Sequence, residues 1–132
     1  MKRYSLSWTI GISDKAQGGN KRLPTWQDVD FHLGEIEGGK GTLTLNVVGG
    51  PNVGPQFLQV ISDDGKYLLS LGVDDGADYV VRSYLNPRIK GMEYELLGNI
   101  WGGELVCLDF SIVREAFEQF FLTGDVSSNL LS

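Results

Sequence analysis

The sequence predicts an α+β domain spanning residues 1–132: a mainly antiparallel β-sheet with two principal helices packed on one face. Three observations predict it. Short segments alternating apolar and polar residues follow one another across glycine-containing turns, notably Asp63-Asp64-Gly65 and Asp74-Asp75-Gly76, and such turns join antiparallel neighbours. Two other stretches, Trp26–Ile36 and Ser111–Thr123, carry helical spacing instead. A chain of 132 residues that is 42% hydrophobic and 21% charged suffices for one core.

The elements follow in order. Arg3–Ile10 places Tyr4, Leu6, Trp8 and Ile10 on one face of a half-buried strand. Ser13–Arg22, with Gly18-Gly19-Asn20, is expected as an exposed loop. Thr25 caps the first helix, and Asp28 sits where a capping-box acid or a dipole-compensating charge belongs; Trp26, Val29, Leu33 and Ile36 form its buried stripe, and Gly38-Gly39 ends it. Thr42–Val48 alternates as a strand, and Gly49–Pro55 is a loop. Phe57–Ile61 and Tyr67–Leu71 pair as a hairpin, and Asp78–Tyr84 follows the second acidic turn. Pro87–Gly91 is expected as loop, Met92–Leu97 as a strand and Leu105–Leu108 as a short apolar strand. In the last helix Ile112, Val113, Ala116, Phe117, Phe120 and Phe121 make one broad stripe, with Asp109 or Ser111 as cap and Gly124 as stop.

Formal charge is −6, unevenly placed. Residues 1–62 carry a net +1, whereas residues 63–118 hold eleven acidic and five basic side chains. Acidity repels nucleic acid and anionic membrane surfaces, so neither is expected as a partner; a basic protein is the electrostatic complement. Cys107 is the single cysteine, and Met1–Ile12 alternates polar and apolar without a signal-peptide core. No apolar run reaches membrane-spanning length. A reducing, cytoplasmic compartment is the expectation.

No motif offers catalysis, a cofactor or a metal. His32 is the only histidine and falls within the first helix, and Cys107 between Val106 and Leu108 reads as a small core hydrophobe. Gly49–Gly54 lacks the Lys-Ser/Thr ending of a phosphate loop and is followed by a strand. Asp74–Asp78 lacks an EF-hand's flanking helices, and Leu85 stands where the glutamate would be. Glu93 and Glu95 share one face of a strand; a glycosidase pair is the sharp reading and a solvated face the ordinary one. Trp101, between Ile100 and Gly102, is an exposed anchor or a plug at the core's edge. Binding to another protein is the expected role, with Asp63, Asp64, Asp74, Asp75, Asp78, Glu93 and Glu95 as the surface and Tyr94 and Trp101 as aromatic anchors.

The closing stretch Phe110-Ser111-Ile112-Val113-Arg114-Glu115-Ala116-Phe117-Glu118-Gln119-Phe120-Phe121-Leu122-Thr123-Gly124 resembles the last helix of the Imm1 family of bacterial immunity proteins. Members of that family end in a phenylalanine-rich helix followed by a Thr-Gly pair, and the element order from Trp26 to Leu131 is similar to theirs. Their usual tryptophan beyond the Thr-Gly is absent, and Leu131 is the candidate for its apolar slot. The resemblance implies an antidote that binds the C-terminal domain of a cognate toxin, often a nucleic-acid-modifying enzyme such as a deaminase, and occludes its active site or substrate surface. Two other roles stay open: a small ligand-binding or enzymatic domain with a cleft near Gly49–Pro55 or Trp101, and a secretion chaperone or adaptor.

Overall fold

The computed structural model describes residues 3–11, 13–89 and 91–132; Met1, Lys2, Ile12 and Lys90, the last inside the expected loop Pro87–Gly91, lie outside them. The strands are β1 (Tyr4–Ile10), β2 (Gln17–Arg22), β3 (Lys40–Val47), β4 (Gly54–Asp63), β5 (Lys66–Asp74), β6 (Tyr79–Ser83), β7 (Glu93–Leu96) and β8 (Asn99–Gly102). The helices are α1 (Trp26–Ile36), between β2 and β3, and α2 (Phe110–Thr123), after β8. Six strands form one antiparallel sheet in the order β2-β1-β3-β4-β5-β6, and β7 and β8 form a separate hairpin. The α+β class with a mainly antiparallel sheet is as the sequence predicts.

Register follows from the alternation. Leu6 pairs with Leu45, Leu45 with Leu58 and Leu58 with Leu71, so one apolar row crosses four strands on the helix-facing side. Trp8, Leu43, Val60 and Leu69 make the parallel row beside it. Both helices cover this face. Val29, Leu33 and Ile36 of α1 and Val113, Ala116, Phe117 and Phe120 of α2 are buried in the common core. Each stripe matches its helical period.

Polar groups close the layer edges. Thr25 and Asp28 form the expected capping box, Asp109 caps α2 by accepting from the Ser111 N–H, and Gly124 ends α2 in the left-handed conformation. The Tyr4 hydroxyl donates to the Phe120 carbonyl at 2.8 Å. Ser62 Oγ lies 2.7 Å from the Ile36 carbonyl, and the Gly38 N–H donates to the Tyr67 hydroxyl at 2.9 Å. These bonds tie the C-terminal end of α1 to β4 and β5. Leu131 is fully buried in the main core.

Three segments differ from expectation. Ser13–Arg22 is not a plain loop: after a short 3-10 turn at Ser13–Lys15 it forms edge strand β2, paired along β1 from Ser5↔Arg22 to Ile10↔Gln17. Its glycines signal flexibility, yet the Trp8 ring lies against Gly19 and uses the missing side chain as space. Asn99–Gly102, to which the sequence assigns no element, is a strand, because the Leu97-Gly98 turn has positive φ at both residues. Leucine is a poor advertisement for a two-residue hairpin turn. Leu105–Leu108 shrinks to a single bridge between Tyr67 and Cys107, since Gly103–Leu105 turns as 3-10 and Asp109 already caps α2.

Candidate protein-binding surface

The acidic residues of the second half fall into two groups at opposite ends of β5. Asp63, Asp64, Glu93 and Glu95 gather near the β4–β5 turn and the β7–β8 hairpin; Asp74, Asp75 and Asp78 lie at the β5–β6 turn. β5 runs from Lys66 to Asp74, so its length separates the groups by about 25 Å. They are two patches, not the single surface expected from their crowding in the sequence.

The first patch is built on a clasped hairpin. Tyr94 pairs with Trp101 and Leu96 with Asn99, which turns Tyr94, Leu96 and Trp101 inward. There, with Ile61, Leu105 and the buried Leu68 and Val106, they make a second, smaller core. Tyr94 and Trp101 are thus partly buried packing residues, and Trp101 plugs the core's edge. Asp63 is also taken out of the surface: it is 7% exposed, with one carboxylate oxygen 2.5 Å from Lys40 Nζ and the other accepting the Leu97 N–H at 2.9 Å. The Lys40 ammonium, and then that N–H, hold its carboxyl below the usual range. Lys66 Nζ donates to the Glu95 carbonyl at 2.7 Å. Asp64, exposed on the turn, is 3.1 Å from Lys40 Nζ.

The outer face of the hairpin is what these contacts leave free. Glu93, Glu95 and Ile100 point outward, Ile100 being 69% exposed. The Glu104 carboxylate lies over Gly102, the cross-strand partner of Glu93. Three carboxylates therefore surround an exposed apolar side chain, and none of them forms an ion pair among the described residues. Ile100 and Glu104 escaped the sequence reading because β8 did. Once the Leu97-Gly98 turn is granted, alternation alone puts Ile100 outside.

The second patch is shaped by its own turn. Asp74 accepts the Gly76 N–H at 2.9 Å, and Asp75 accepts those of Ala77 and Asp78 at 2.9 and 2.7 Å. The Asp78 and Ala77 N–H groups hold the Asp75 carboxyl below its ordinary value. Beside the turn, the Phe57 and Tyr79 rings stack at 6.4 Å, and both crowd the space a side chain at Gly72 would fill. Tyr79, Val80 and Val81 are all exposed, which the sequence reading of Asp78–Tyr84 as an ordinary strand did not anticipate.

The His32 ring stacks on Trp8 with centroids 3.7 Å apart, and its Nδ1 is 2.5 Å from Glu35. Cys107 is fully buried and burial pushes its thiol up, away from the reactive thiolate. An open groove of about 780 Å³ near Pro51 is lined by residues such as Tyr4, Leu23, Pro24, Phe121 and Leu122, and neither His32, Cys107 nor Glu95 borders it. Among the described residues no group of three or more His, Cys, Asp or Glu could hold a metal. No helix among them is long and apolar enough to cross a membrane.

The fold recurs elsewhere. A hypothetical protein from Neisseria gonorrhoeae, known from its crystal structure, superposes with a TM-score of 0.77 at 17% identity, over 96% of this chain and 92% of that one. No curated protein matches the sequence. A family model does match residues 7–130, nearly the whole of both layers, and by that match the chain belongs to DUF6911, a family of unknown function.

Proposed function

We propose that this protein acts by binding another protein, as an immunity protein that captures a cognate toxin domain, and that the outer face of the β7–β8 hairpin makes the contact. One observation carries the reading: Glu93, Glu95 and Glu104 surround the exposed Ile100 without cationic partners among the described residues, on a hairpin clasped by Asp63 and Lys66. An apolar anchor within a charged rim is the anatomy of a binding hot spot. Enzymes that act on nucleic acid carry basic surfaces for the phosphate backbone, and carboxylates compete for those surfaces. The toxin itself is inferred from the likeness of the closing helix to immunity proteins, which the burial of Leu131 supports. Such a role is cytoplasmic and needs no cofactor.

The test is titration calorimetry with the C-terminal domain of the protein encoded immediately upstream. Tight one-to-one binding is expected for the native protein, and a loss of about tenfold or more for the Glu93→Lys/Glu95→Lys double variant. Asp78→Lys, at the other patch, is expected to bind nearly as the native protein does. The reverse ranking would move the contact to the β5–β6 turn, and no binding by the native protein would end the antidote reading.

A further inference from the structure

The two ends of the main sheet differ in charge. Asp63 pairs with Lys40 at the start of β3, whereas Arg3 bonds to Val48 just beyond the other end of that strand, about 25 Å away. Arg22 is the cross-strand partner of Ser5, and Arg3 precedes Ser5 by two residues. Leu6 is buried beneath the helices, so alternation puts Arg3, Ser5 and Arg22 together on the open face of the sheet. Lys21, Lys40, Arg82 and Arg114 are all held by carboxylates. Arg3 and Arg22 form no ion pair among the described residues, in a chain whose net charge is −6.

The two arginines border a cleft of about 430 Å³, lined also by Tyr4, Ser5, Leu23 and Val48. That volume is within the range of small-ligand sites. Its walls are fixed by backbone: the Val48 N–H donates to the Arg3 carbonyl at 2.8 Å, and the Leu23 N–H to the Tyr4 carbonyl at 3.0 Å. Leu23 has a φ of 52°, in the left-handed region that residues other than glycine seldom enter, and its side chain is 60% exposed. Strain of this kind clusters where ligands are clamped. Arg3 is placed by a missing side chain, since its guanidinium lies where a β-carbon on Gly49 would collide with it.

We propose that this cleft binds a small phosphate monoester, its phosphate held by Arg3 and Arg22 and its organic group resting on Leu23 and Val48. The charges match, because a monoester carries about −1.5 to −2 near neutral pH and two guanidinium groups offset it. Each guanidinium also presents a planar fork of N–H donors that phosphate oxygens accept two at a time. The Ser5 hydroxyl adds a further donor. A carboxylate would leave one arginine unmatched, and inorganic phosphate would leave the apolar wall unused. The outer face of β7–β8 takes no part, so this inference goes beyond toxin capture and stands or falls independently of it.

Isotope-labelled protein titrated with phenyl phosphate, and followed by amide chemical shifts, tests the site. Saturable shifts are expected at residues 3–5, 22–23 and 48, with a Kd of about 0.1–1 mM, as suits contacts open to solvent. Inorganic phosphate and benzoate should each bind about tenfold or more weakly, the first lacking the apolar group and the second the double charge. Arg22→Gln alters an exposed side chain, so it should keep the thermal midpoint and weaken phenyl phosphate about tenfold. Leu23→Asn keeps a residue that tolerates the left-handed conformation, and should erase the advantage of phenyl phosphate over inorganic phosphate. Gly49→Ala retains both arginines but displaces Arg3, and should weaken binding about threefold or more. The proposal is overturned by an absence of saturable shifts, or by benzoate binding as tightly as phenyl phosphate. It is overturned equally if Arg22→Gln or Gly49→Ala binds as the native protein does, since attraction to a built site would then be missing.

Discussion

The Asp63 carboxylate touches two elements at once, Lys40 on β3 and the Leu97 N–H at the tip of the β7–β8 hairpin. A carboxylate lowered by such partners stabilises the fold above its unfolded pKa of about 4, and that contribution is lost as pH falls through the lower folded value. Lys40 is raised by the same contact, so its share persists below the ordinary lysine pKa and is lost only as pH rises through the higher folded value. Asp63→Asn should therefore destabilise the protein near neutral pH by roughly 1.5–3 kcal/mol. The deficit should shrink as pH falls through the lowered folded value, where the native carboxyl is protonated too. Denaturant melts across that range check it, and a deficit independent of pH would mean that shape, not charge, makes the clasp. Residues chosen for their charge thus divide by burial: Asp63 holds the hairpin, while Glu93 and Glu95 remain outside it.

The hairpin is also a separate packing unit. Its inner face joins the small core around Leu68, Leu96 and Val106, whereas α1 and α2 close the main core. Trp101→Ala should accordingly speed amide exchange over residues 93–102 far more than over β3–β5, and Phe120→Ala should weaken protection in both, at about 3–5 kcal/mol of global stability. Uniform loss in the Trp101 variant would show the hairpin to be continuous with the main fold. This division marks the limit of what the sequence shows. Capping residues and regular alternation announce α1, α2 and β3–β6, because each is a local signal of helix or hairpin geometry. β2 was hidden by glycines that serve packing against Trp8, and β8 by a leucine in the left-handed conformation at position 97. The candidate site was legible as a list of acidic residues. Its division into two patches was not, since only the course of β5 shows how far apart neighbours in the list lie.

At the scale of the whole molecule the acidic half faces solvent as two fields, with cations such as Lys40 and Arg82 already engaged in ion pairs. A basic partner approaching such a surface is guided before it docks, and salt screens that guidance beyond about 8–10 Å. Association with the upstream-encoded domain should therefore slow about tenfold or more between roughly 50 and 300 mM salt, while dissociation changes little. The double variant Glu93→Lys/Glu95→Lys should show a flatter salt dependence as well as weaker binding, because it removes the nearer field. Stopped-flow or surface-based kinetics at several salt concentrations separate the two rates. If salt acted on dissociation alone, the carboxylates would be contacts within the bound complex and not guides to it, and capture would depend on Ile100 and its surroundings. If neither rate responded, the excess of negative charge would serve solubility only, and a basic toxin surface would no longer be the partner to seek.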